Sequence, residues 1–332
     1  MKYSIVIVSK DNRNFLLKCL DTLKKYVVDD VEIVLVESGN NLTDLDFKLK
    51  HIKIPLLKAG YSYQRNLGIK NSSGDYVIFI DDDIEVFSNW FEEIIKVFED
   101  ENVLGCMGAV FPKDANLLSF SLGVLGHPGG GFYLFDKAKG KVIPVSLIST
   151  GNSILKKSVI EEVGYFDEEG SKFGSEDTEI CLRIAKKFGE NRLRYNPQAI
   201  VWHYTPDKFC EIVKWYLRRG KKDIEIMKKY KLSLVYFVNF SILLKMFMIF
   251  IFSLSLGINF LLLISILWFL WQLYKYRFML KYLKYYPNFK YSGIIVLVCF
   301  PFVKFIVDVV FDIGRLVAVT NNVFRKIDAK KS

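Results

Sequence analysis

Two clusters of acidic residues in this sequence could do chemistry. The first is Asp81-Asp82-Asp83, which directly follows the apolar run Tyr76-Val77-Ile78-Phe79-Ile80. Three adjacent carboxylates repel one another, and a hard divalent cation with oxygen ligands relieves that repulsion. Because side chains alternate along an extended backbone, Asp81 and Asp83 are expected to share one side and to hold the cation. The predicted ion is Mg²⁺ or Mn²⁺, shared with a diphosphate.

The second cluster is Glu176-Asp177, which lies between the turn Phe173-Gly174-Ser175 and a helical pattern of apolar residues. At the start of a helix both carboxylates gain from the helix dipole, and capping alone would explain them. The chemical alternative makes Asp177 a general base that takes a proton from an acceptor hydroxyl. Glu176 would then position the acceptor.

Two further side chains could complete such a site. Arg65 lies in a predicted helix that precedes the acidic strand, and its guanidinium could hold diphosphate oxygens. The alternative for Arg65 is an exposed helical arginine. His203 follows a predicted strand and could contact the metal or the diphosphate, although a lone histidine is more often structural.

The elements that would position these residues alternate between strands and helices over residues 1–87. This alternation predicts a mostly parallel, doubly wound α/β sheet, whose ligands bind at the carboxyl ends of the strands. Ser9, Glu37 and Asp81 fall at such ends, so three loops point to one crevice. The predicted strands are Tyr3 to Val8, Val31 to Val36, His51 to Leu56 and Tyr76 to Ile80. One predicted helix begins after Asp11 or Asn12, and another spans Tyr61 to Lys70.

Residues 88–207 lose this alternation and predict an α+β half that binds the acceptor. A helix is expected over Asn89 to Asp100. The strands that follow are predicted near Val103 to Phe111, Val142 to Leu147, Asn152 to Lys156, Arg192 to Tyr195 and Ala199 to His203.

The C-terminal part of the chain is more apolar and more basic. Residues 1–207 carry 25 Lys and Arg against 30 Asp and Glu, whereas residues 208–332 carry 21 against 6. This contrast indicates an enzyme domain tied to an anionic membrane surface. A nucleic-acid-binding tail is not favoured, because the basic residues flank long apolar runs.

From Leu232 to Tyr274 the only charged residue is Lys245, and this length could cross a hydrocarbon core of about 30 Å twice. The basic flanks would then lie in the cytoplasm. A single span over Met246 to Trp271 is the alternative. The run Gly293 to Val319 is either a third span or an interfacial helix. The predicted segments after the enzyme domain are a basic amphipathic helix (208–231), a transmembrane hairpin (232–274) turning near Gly257, a basic loop (275–291), and a last helix with a basic tail (292–332).

The five cysteines are scattered and odd in number, so neither a disulfide framework nor a zinc site is expected. A reducing compartment is the simplest interpretation. No signal peptide is expected, because the apolar stretch after Met1-Lys2 is only as long as a strand.

Taken together, residues 3–207 resemble the large family of inverting nucleotide-sugar glycosyltransferases with the GT-A fold, often called family 2. The resemblance implies that Ser9 and Glu37 lie by the nucleotide, that Asp81 and Asp83 form the metal motif, and that Asp177 is the catalytic base. One departure is Glu37, where the family usually has Asp. The segments that carry the resemblance are Ser4 to Asp11, Glu37-Ser38-Gly39, Arg65-Asn66-Leu67-Gly68, Gly74 to Asp83, Thr150-Gly151-Asn152-Ser153 through Glu168, and Gly174-Ser175-Glu176-Asp177 to Arg183.

The function expected from the residues and the resemblance is metal-dependent transfer of a sugar to a lipid-linked or surface glycan acceptor, on the cytoplasmic face of the cell membrane. A UDP-sugar is the favoured donor, with GDP and dTDP as alternatives. A sugar-1-phosphate nucleotidyltransferase would show a Gly-rich loop after the first strand, and a non-catalytic scaffold would not need the acids. The expected contacts are Ser9, Glu37, Arg65, Asn66, Asp81 and Asp82 for the donor, Asp81, Asp83 and His203 for the metal, and Glu176, Gly151 and Asn152 for the acceptor.

Overall fold

A computed structural model describes residues 1–27, 30–39, 42, 45–58, 60–169, 175–230 and 241–328. Five predicted features lie partly outside these ranges: the Asn40-Asn41 part of the loop after the second strand, the Phe173-Gly174 part of the Gly-rich turn, residue 231 of the basic amphipathic helix, residues 232–240 of the expected hairpin, and residues 329–332 of the basic tail. The chain forms two compact units. The first contains residues 1–114 and 125–205, and the second contains residues 115–124 and 206–332.

The first unit is built on one sheet of nine strands. Along the sheet the order is β3-β2-β1-β4-β8-β6-β9-β5, and β7 pairs with β9 at the side. The strands are β1 (Tyr3–Lys10), β2 (Glu32–Ser38), β3 (Lys50–Ile54), β4 (Tyr76–Asp81), β5 (Ile84–Val86), β6 (Gly105–Pro112), β7 (Ile143–Val145), β8 (Asn152–Lys156) and β9 (Leu193–His203).

The helices of both units are as follows. The first unit has α1 (Arg13–Tyr26), α2 (Tyr61–Lys70), α3 (Trp90–Lys96), α5 (Gly131–Ala138), α6 (Lys157–Val163) and α7 (Glu176–Phe188). The second unit has α4 (Leu117–Val124), α8 (Phe209–Lys229), α9 (Ile242–Leu256), α10 (Ile258–Tyr276) and α11 (Gly293–Asp328).

Strands β1 to β4 pair in parallel, as the alternating pattern predicts. Their carboxyl ends bring Ser9 opposite Glu37 and Val8 opposite Asp81. Helix α2 lies close to this sheet because residue 68 is glycine: a Cβ there would come within 2.4 Å of Val6 Cγ1. The close approach brings the polar residues of α2 to the strand ends.

The rest of the sheet is mixed. Strand β8 runs antiparallel between β4 and β6, and β9 is parallel to β6 but antiparallel to β5 and β7. The two strands predicted over Arg192 to Tyr195 and Ala199 to His203 are one continuous strand, whose register shifts opposite Gly108 and Ala109. The sheet is therefore parallel over β1 to β4 and mixed over the remaining strands.

The core of the first unit is apolar and lies between the sheet and the helices beside it. Helix α1 contributes Leu16, Cys19, Leu20 and Leu23, and Trp90 is fully buried at the start of α3. The first turn of α1 has no side-chain cap, however. Asn12 stands at the N-cap of α1 without a capping bond, and its side chain instead opposes the rise in the pKa of Asp82.

In the second unit, α8 packs its buried face against α11. Gly220 of α8 and Gly314 of α11 allow this contact, since a Cβ at residue 220 would fall 2.0 Å from the Phe311 carbonyl oxygen. The buried Arg315 of α11 binds Asp223 of α8 at 2.6 Å and Asp312 at 3.2 Å. The buried face of the amphipathic helix α8 is therefore covered by a helix of the same unit.

Two helical segments of the second unit are long and apolar enough to cross a membrane, Ile258–Tyr285 and Gly293–Thr320. The apolar helix that precedes them, Ile242–Leu254, is shorter. Helices α9 and α10 separate at Gly257, where the sequence predicts a turn. The described part of the expected hairpin thus pairs one short helix with one helix of spanning length.

Candidate active site

Strand pairing brings Asp81, Asp83 and His203 together. Strand β4 ends at Asp81, a turn carries Asp82 and Asp83, and Ile84 of β5 pairs with His203 of β9. One ligand atom from each of Asp81, Asp83 and His203 lies within 4.8 Å of the other two. We call these three residues the metal trio. His203 Nε2 is 3.2 Å from Asp83 Oδ1, and Nδ1 faces the Thr205 hydroxyl at 3.3 Å.

The electrostatics of the metal trio favour a bound cation. Burial raises the pKa of Asp82 to about 7 and that of Asp83 to about 8, and neighbouring carboxylates add to both shifts. Burial also lowers the pKa of His203, which keeps its imidazole neutral and able to coordinate. Asp83 Oδ1 is buried and makes no regular hydrogen bond. Two carboxylates and one imidazole form a donor set that suits Mn²⁺ or Mg²⁺.

Gly151 forms the wall beside Asp81. A Cβ at residue 151 would lie 2.8 Å from Asp81 Oδ2, so a side chain there would displace the carboxylate. The next residue, Asn152, is fully buried, and its amide accepts from Trp90 Nε1 and donates to the carbonyls of Ala109 and Ala199. These hydrogen bonds hold the irregular part of the sheet together. The geometry therefore gives Asn152 a structural role and does not support the expected contact with the acceptor.

Arg65 joins the two acidic clusters. Its Nη1 lies 2.5 Å from Glu176 Oε1 at the start of α7, and its Nη2 lies 3.1 Å from Asp81 Oδ1. The side chain is only 4% exposed, which excludes the alternative of a surface arginine. Clusters that are far apart in sequence thus meet at one guanidinium group. Because both carboxylates already occupy it, the structure favours positioning over the expected direct contact with a diphosphate.

Asp177 follows Glu176 in the first turn of α7 and is half-buried. Its Oδ1 accepts a hydrogen bond from the Thr178 backbone N–H at 2.7 Å, which leaves Oδ2 for another partner. Glu176 is buried, and burial raises its pKa although Arg65 opposes the shift. Glu176 Oε2 makes no hydrogen bond with the described residues. Two different acids therefore stand side by side, one buried and one accessible.

The residues on either side of Arg65 also hold parts of the site. Gln64 Nε2 donates to the carbonyls of Ser9 and Val36, at the ends of β1 and β2. Asn66 Nδ2 donates to Phe166 O, and Asn66 Oδ1 accepts from Phe166 N. Asn66 was expected to contact the donor, but its amide is used to fix the chain that leads toward α7. Gln64 was not predicted as a site residue.

The expected nucleotide side lies at the ends of β1 and β2. Glu37 is fully buried and pairs with Arg13 at 2.7 Å and with His51 at 2.8 Å. Ser9 is buried beside Asp82, and its side chain opposes the rise in the pKa of that carboxyl. The sequence did not point to Arg13 or His51, because neither belongs to a recognisable motif. These two side chains occupy the Glu37 carboxylate, so any direct nucleotide contact by it would require one of them to move.

Comparison with known proteins agrees with this geometry. Residues 4–164 match the family model described as glycosyl transferase family 2. The pre-mycofactocin glycosyltransferase of Mycobacterium tuberculosis is 27% identical over 228 residues, which cover 65% of this chain and 45% of that protein. The uncharacterized glycosyltransferase EpsJ of Bacillus subtilis is 29% identical over 120 residues, covering 34% and 35%. The chain thus spans about half or less of these relatives' lengths.

A solved structure gives the fold. The mannosyltransferase PcManGT from Pyrobaculum calidifontis, in complex with GDP-Man and Mn²⁺, superposes with a TM-score of 0.50 at 13% identity. The match covers 70% of this chain and 64% of that one. Over residues 4–164 this chain therefore carries a glycosyltransferase family 2 domain, and its fold is GT-A.

Proposed function

We propose that this chain is a metal-dependent inverting glycosyltransferase that moves a sugar from a nucleotide-diphosphate sugar to an acceptor hydroxyl. The observation that carries the proposal is the buried Arg65, which ties Asp81 of the metal trio to the Glu176-Asp177 pair. A cation-binding group and an accessible carboxylate in one site are what a direct displacement at the anomeric carbon requires.

On the donor side, Asp81, Asp83 and His203 would hold Mn²⁺ or Mg²⁺. When bound, such an ion offsets the negative charge that develops on the departing nucleotide diphosphate. Asp82, Ser9 and the ends of β1 and β2 would form the nucleotide side. A UDP-sugar is the favoured donor, while the GDP-Man complex of the structural relative supports the wider class of nucleotide sugars.

On the acceptor side, Asp177 would accept the proton of the attacking hydroxyl through the carboxylate oxygen that Thr178 does not engage. Glu176 would orient the acceptor and the start of α7, because Arg65 holds one of its oxygens and leaves Oε2 unpaired. Attack from the face opposite the leaving diphosphate inverts the anomeric configuration. Gly151 would leave room beside Asp81 for the reacting groups.

The second unit supports a membrane location. Residues 275–292, which include the end of the first helix of spanning length, expose five cations and contain no acid: Lys275, Arg277, Lys281, Lys284 and Lys290. Arg277 lies 4.0 Å from the ring centre of Tyr274, and aromatic rings beside cations suit the depth of lipid headgroups. By the positive-inside rule this segment would lie in the cytoplasm. A lipid-linked or membrane-presented glycan acceptor follows from that location.

The experiment is a donor screen with detergent-purified full-length protein, using UDP-, GDP- and dTDP-sugars with and without Mn²⁺ or Mg²⁺. We expect metal-dependent turnover of one nucleotide class, which Asp83→Ala abolishes. Asp177→Asn should retain donor binding in calorimetry and lose turnover by a factor on the order of 10² to 10⁴. Asp21→Asn, on the exposed face of α1, is the matched control and should behave as the wild type. Normal turnover by Asp177→Asn would refute the assignment of the base.

A further inference from the structure

A single buried cation serves two carboxylates in this site. Arg65 shares its guanidinium between Asp81, a member of the metal trio, and Glu176, which lies outside it. The guanidinium is fully ionised at any physiological pH, so its charge cannot be withdrawn by deprotonation. Each carboxylate binds its own nitrogen atom, Nη1 for Glu176 and Nη2 for Asp81, and the two share one positive charge.

A metal ion in the trio would compete with Arg65 for the same partner. Asp81 Oδ1 is bound to Arg65, and Oδ2 lies against Gly151. Coordination draws the Asp81 charge toward the ion and weakens its pull on Arg65. The guanidinium then interacts more strongly with Glu176, whose Oε2 is buried and has no hydrogen-bond partner among the described residues.

We propose that Arg65 is a positioning residue that couples metal binding at Asp81 to the placement of Glu176, and hence of the adjacent Asp177 at the start of α7. The inference rests on the proposed function, because it concerns the metal site assigned there. Coupling of this kind is reciprocal: if the metal strengthens the Arg65–Glu176 pair, Glu176 must strengthen metal binding by the same factor.

Reciprocity gives a test that needs neither donor nor acceptor. Glu176→Gln keeps the size of the side chain and removes its charge, which leaves Arg65 to Asp81 alone. Arg65 then binds Asp81 more strongly and competes better with the metal ion for that carboxylate. We expect Glu176→Gln to raise the dissociation constant for Mn²⁺ on the order of tenfold, the scale typical of residues that support metal ligands.

Glu179→Gln is the matched control. Glu179 is a buried carboxylate one turn further along α7, where it pairs with Arg183 at 2.6 Å and not with Arg65. Its neutralisation should change the Mn²⁺ dissociation constant less than about twofold, since it has no path to Asp81 through a shared cation. Circular dichroism and thermal melting of each variant check that the fold is retained.

A double-mutant cycle separates coupling through Arg65 from a general loss of negative charge. In the Arg65→Met background, Glu176→Gln should no longer weaken Mn²⁺ binding, as followed by electron paramagnetic resonance of free Mn²⁺. An equal weakening with and without Arg65 would overturn the inference, as would an unchanged dissociation constant for Glu176→Gln. Failure of the wild-type protein to bind Mn²⁺ would instead overturn the metal dependence of the proposed function.

Discussion

The side-chain amide of Asn66 pairs with both backbone polar groups of Phe166. Asn66 Nδ2 donates to Phe166 O at 2.8 Å, and Asn66 Oδ1 accepts from Phe166 N at 2.9 Å. The same amide also donates to Glu168 Oε1 at 2.7 Å. Helix α2 therefore fixes the chain segment after α6 as well as the carboxylates that Arg65 holds.

We expect Asn66→Ala to destabilise the first unit by about 1 to 3 kcal/mol, because it leaves both polar groups of Phe166 buried without partners. Asn66→Asp should be worse, since a carboxylate would face Phe166 O and Glu168. Urea denaturation measures the change in the free energy of unfolding. Asn71→Ala removes one hydrogen bond at the end of the same helix and serves as the control, with a loss of about 1 kcal/mol or less. Equal losses for Asn66→Ala and Asn71→Ala would contradict this assignment.

Gly151→Ala should impair the metal site and leave the fold intact. The added methyl group would lie 2.8 Å from Asp81 Oδ2, so either the carboxylate or the start of β8 must shift. A displaced ligand weakens coordination, and we expect the Mn²⁺ dissociation constant to rise on the order of tenfold or more. Calorimetric titration measures it, and the melting temperature shows whether the sheet is retained. Wild-type Mn²⁺ affinity in this variant would show that the metal site tolerates a methyl group beside the Asp81 carboxylate.

The thiols provide a test of the core by chemical labelling. Burial raises the pKa of Cys106 and of Cys181 to about 12, so at pH 8 only about one molecule in ten thousand carries either thiolate. Cys19 is buried as well, and burial raises its pKa well above the usual value of a thiol. By contrast, Cys210 is exposed on α8.

With native protein at pH 8, N-ethylmaleimide should modify Cys210 within minutes and leave Cys19, Cys106 and Cys181 unmodified until denaturant is added. Peptide mass spectrometry identifies the labelled positions. Cys210→Ser is the control and should abolish the rapid phase. Rapid native labelling of Cys106 or Cys181 would show that the sheet is packed differently.

The sequence predicts the parallel half of the fold well, because its strands are short apolar runs separated by one amphipathic helix or by loop residues. That pattern places Ser9, Glu37 and Asp81 at one edge without any knowledge of distant contacts. His203 was harder to place, since its meeting with Asp83 depends on the pairing of β5 with β9, far apart in the chain. A three-residue strand such as β5 leaves almost no periodic signal.

Helix α2 shows why the roles of its residues were harder to predict than its existence. Its buried residues are largely polar, among them Gln64, Arg65 and Asn66, so hydrophobic periodicity could not reveal which face is inside. Each of these three side chains can be buried because residues elsewhere in the chain satisfy its hydrogen-bonding groups. Such partners are defined only by the folded structure, so the sequence could not show what holds Asn66 and Arg65 in place.

The basic segment, residues 275–292, leads to a prediction about lipids. Its 3-10 helical part, Arg277–Tyr285, buries Met279 and Tyr282 and exposes Arg277, Lys281 and Lys284. Each exposed cation near an anionic bilayer surface contributes about 1 kcal/mol of attraction, which salt screens. The full-length protein should therefore retain phosphatidylglycerol in preference to phosphatidylcholine when native mass spectrometry is recorded from mixed-lipid detergent micelles.

Replacing Arg277, Lys281 and Lys284 together with Gln should remove most of that preference, because the exposed face loses three of its charges while its buried aromatic face is unchanged. Replacing the exposed Lys137, Lys139 and Lys141 of the first unit with Gln alters the net charge equally and should leave the preference intact. Raising the salt concentration before measurement should weaken the wild-type preference and have little effect on the triple variant of the basic segment. If both triple variants lose the preference to the same extent, net charge alone accounts for it, and the segment has no specific role at the membrane surface.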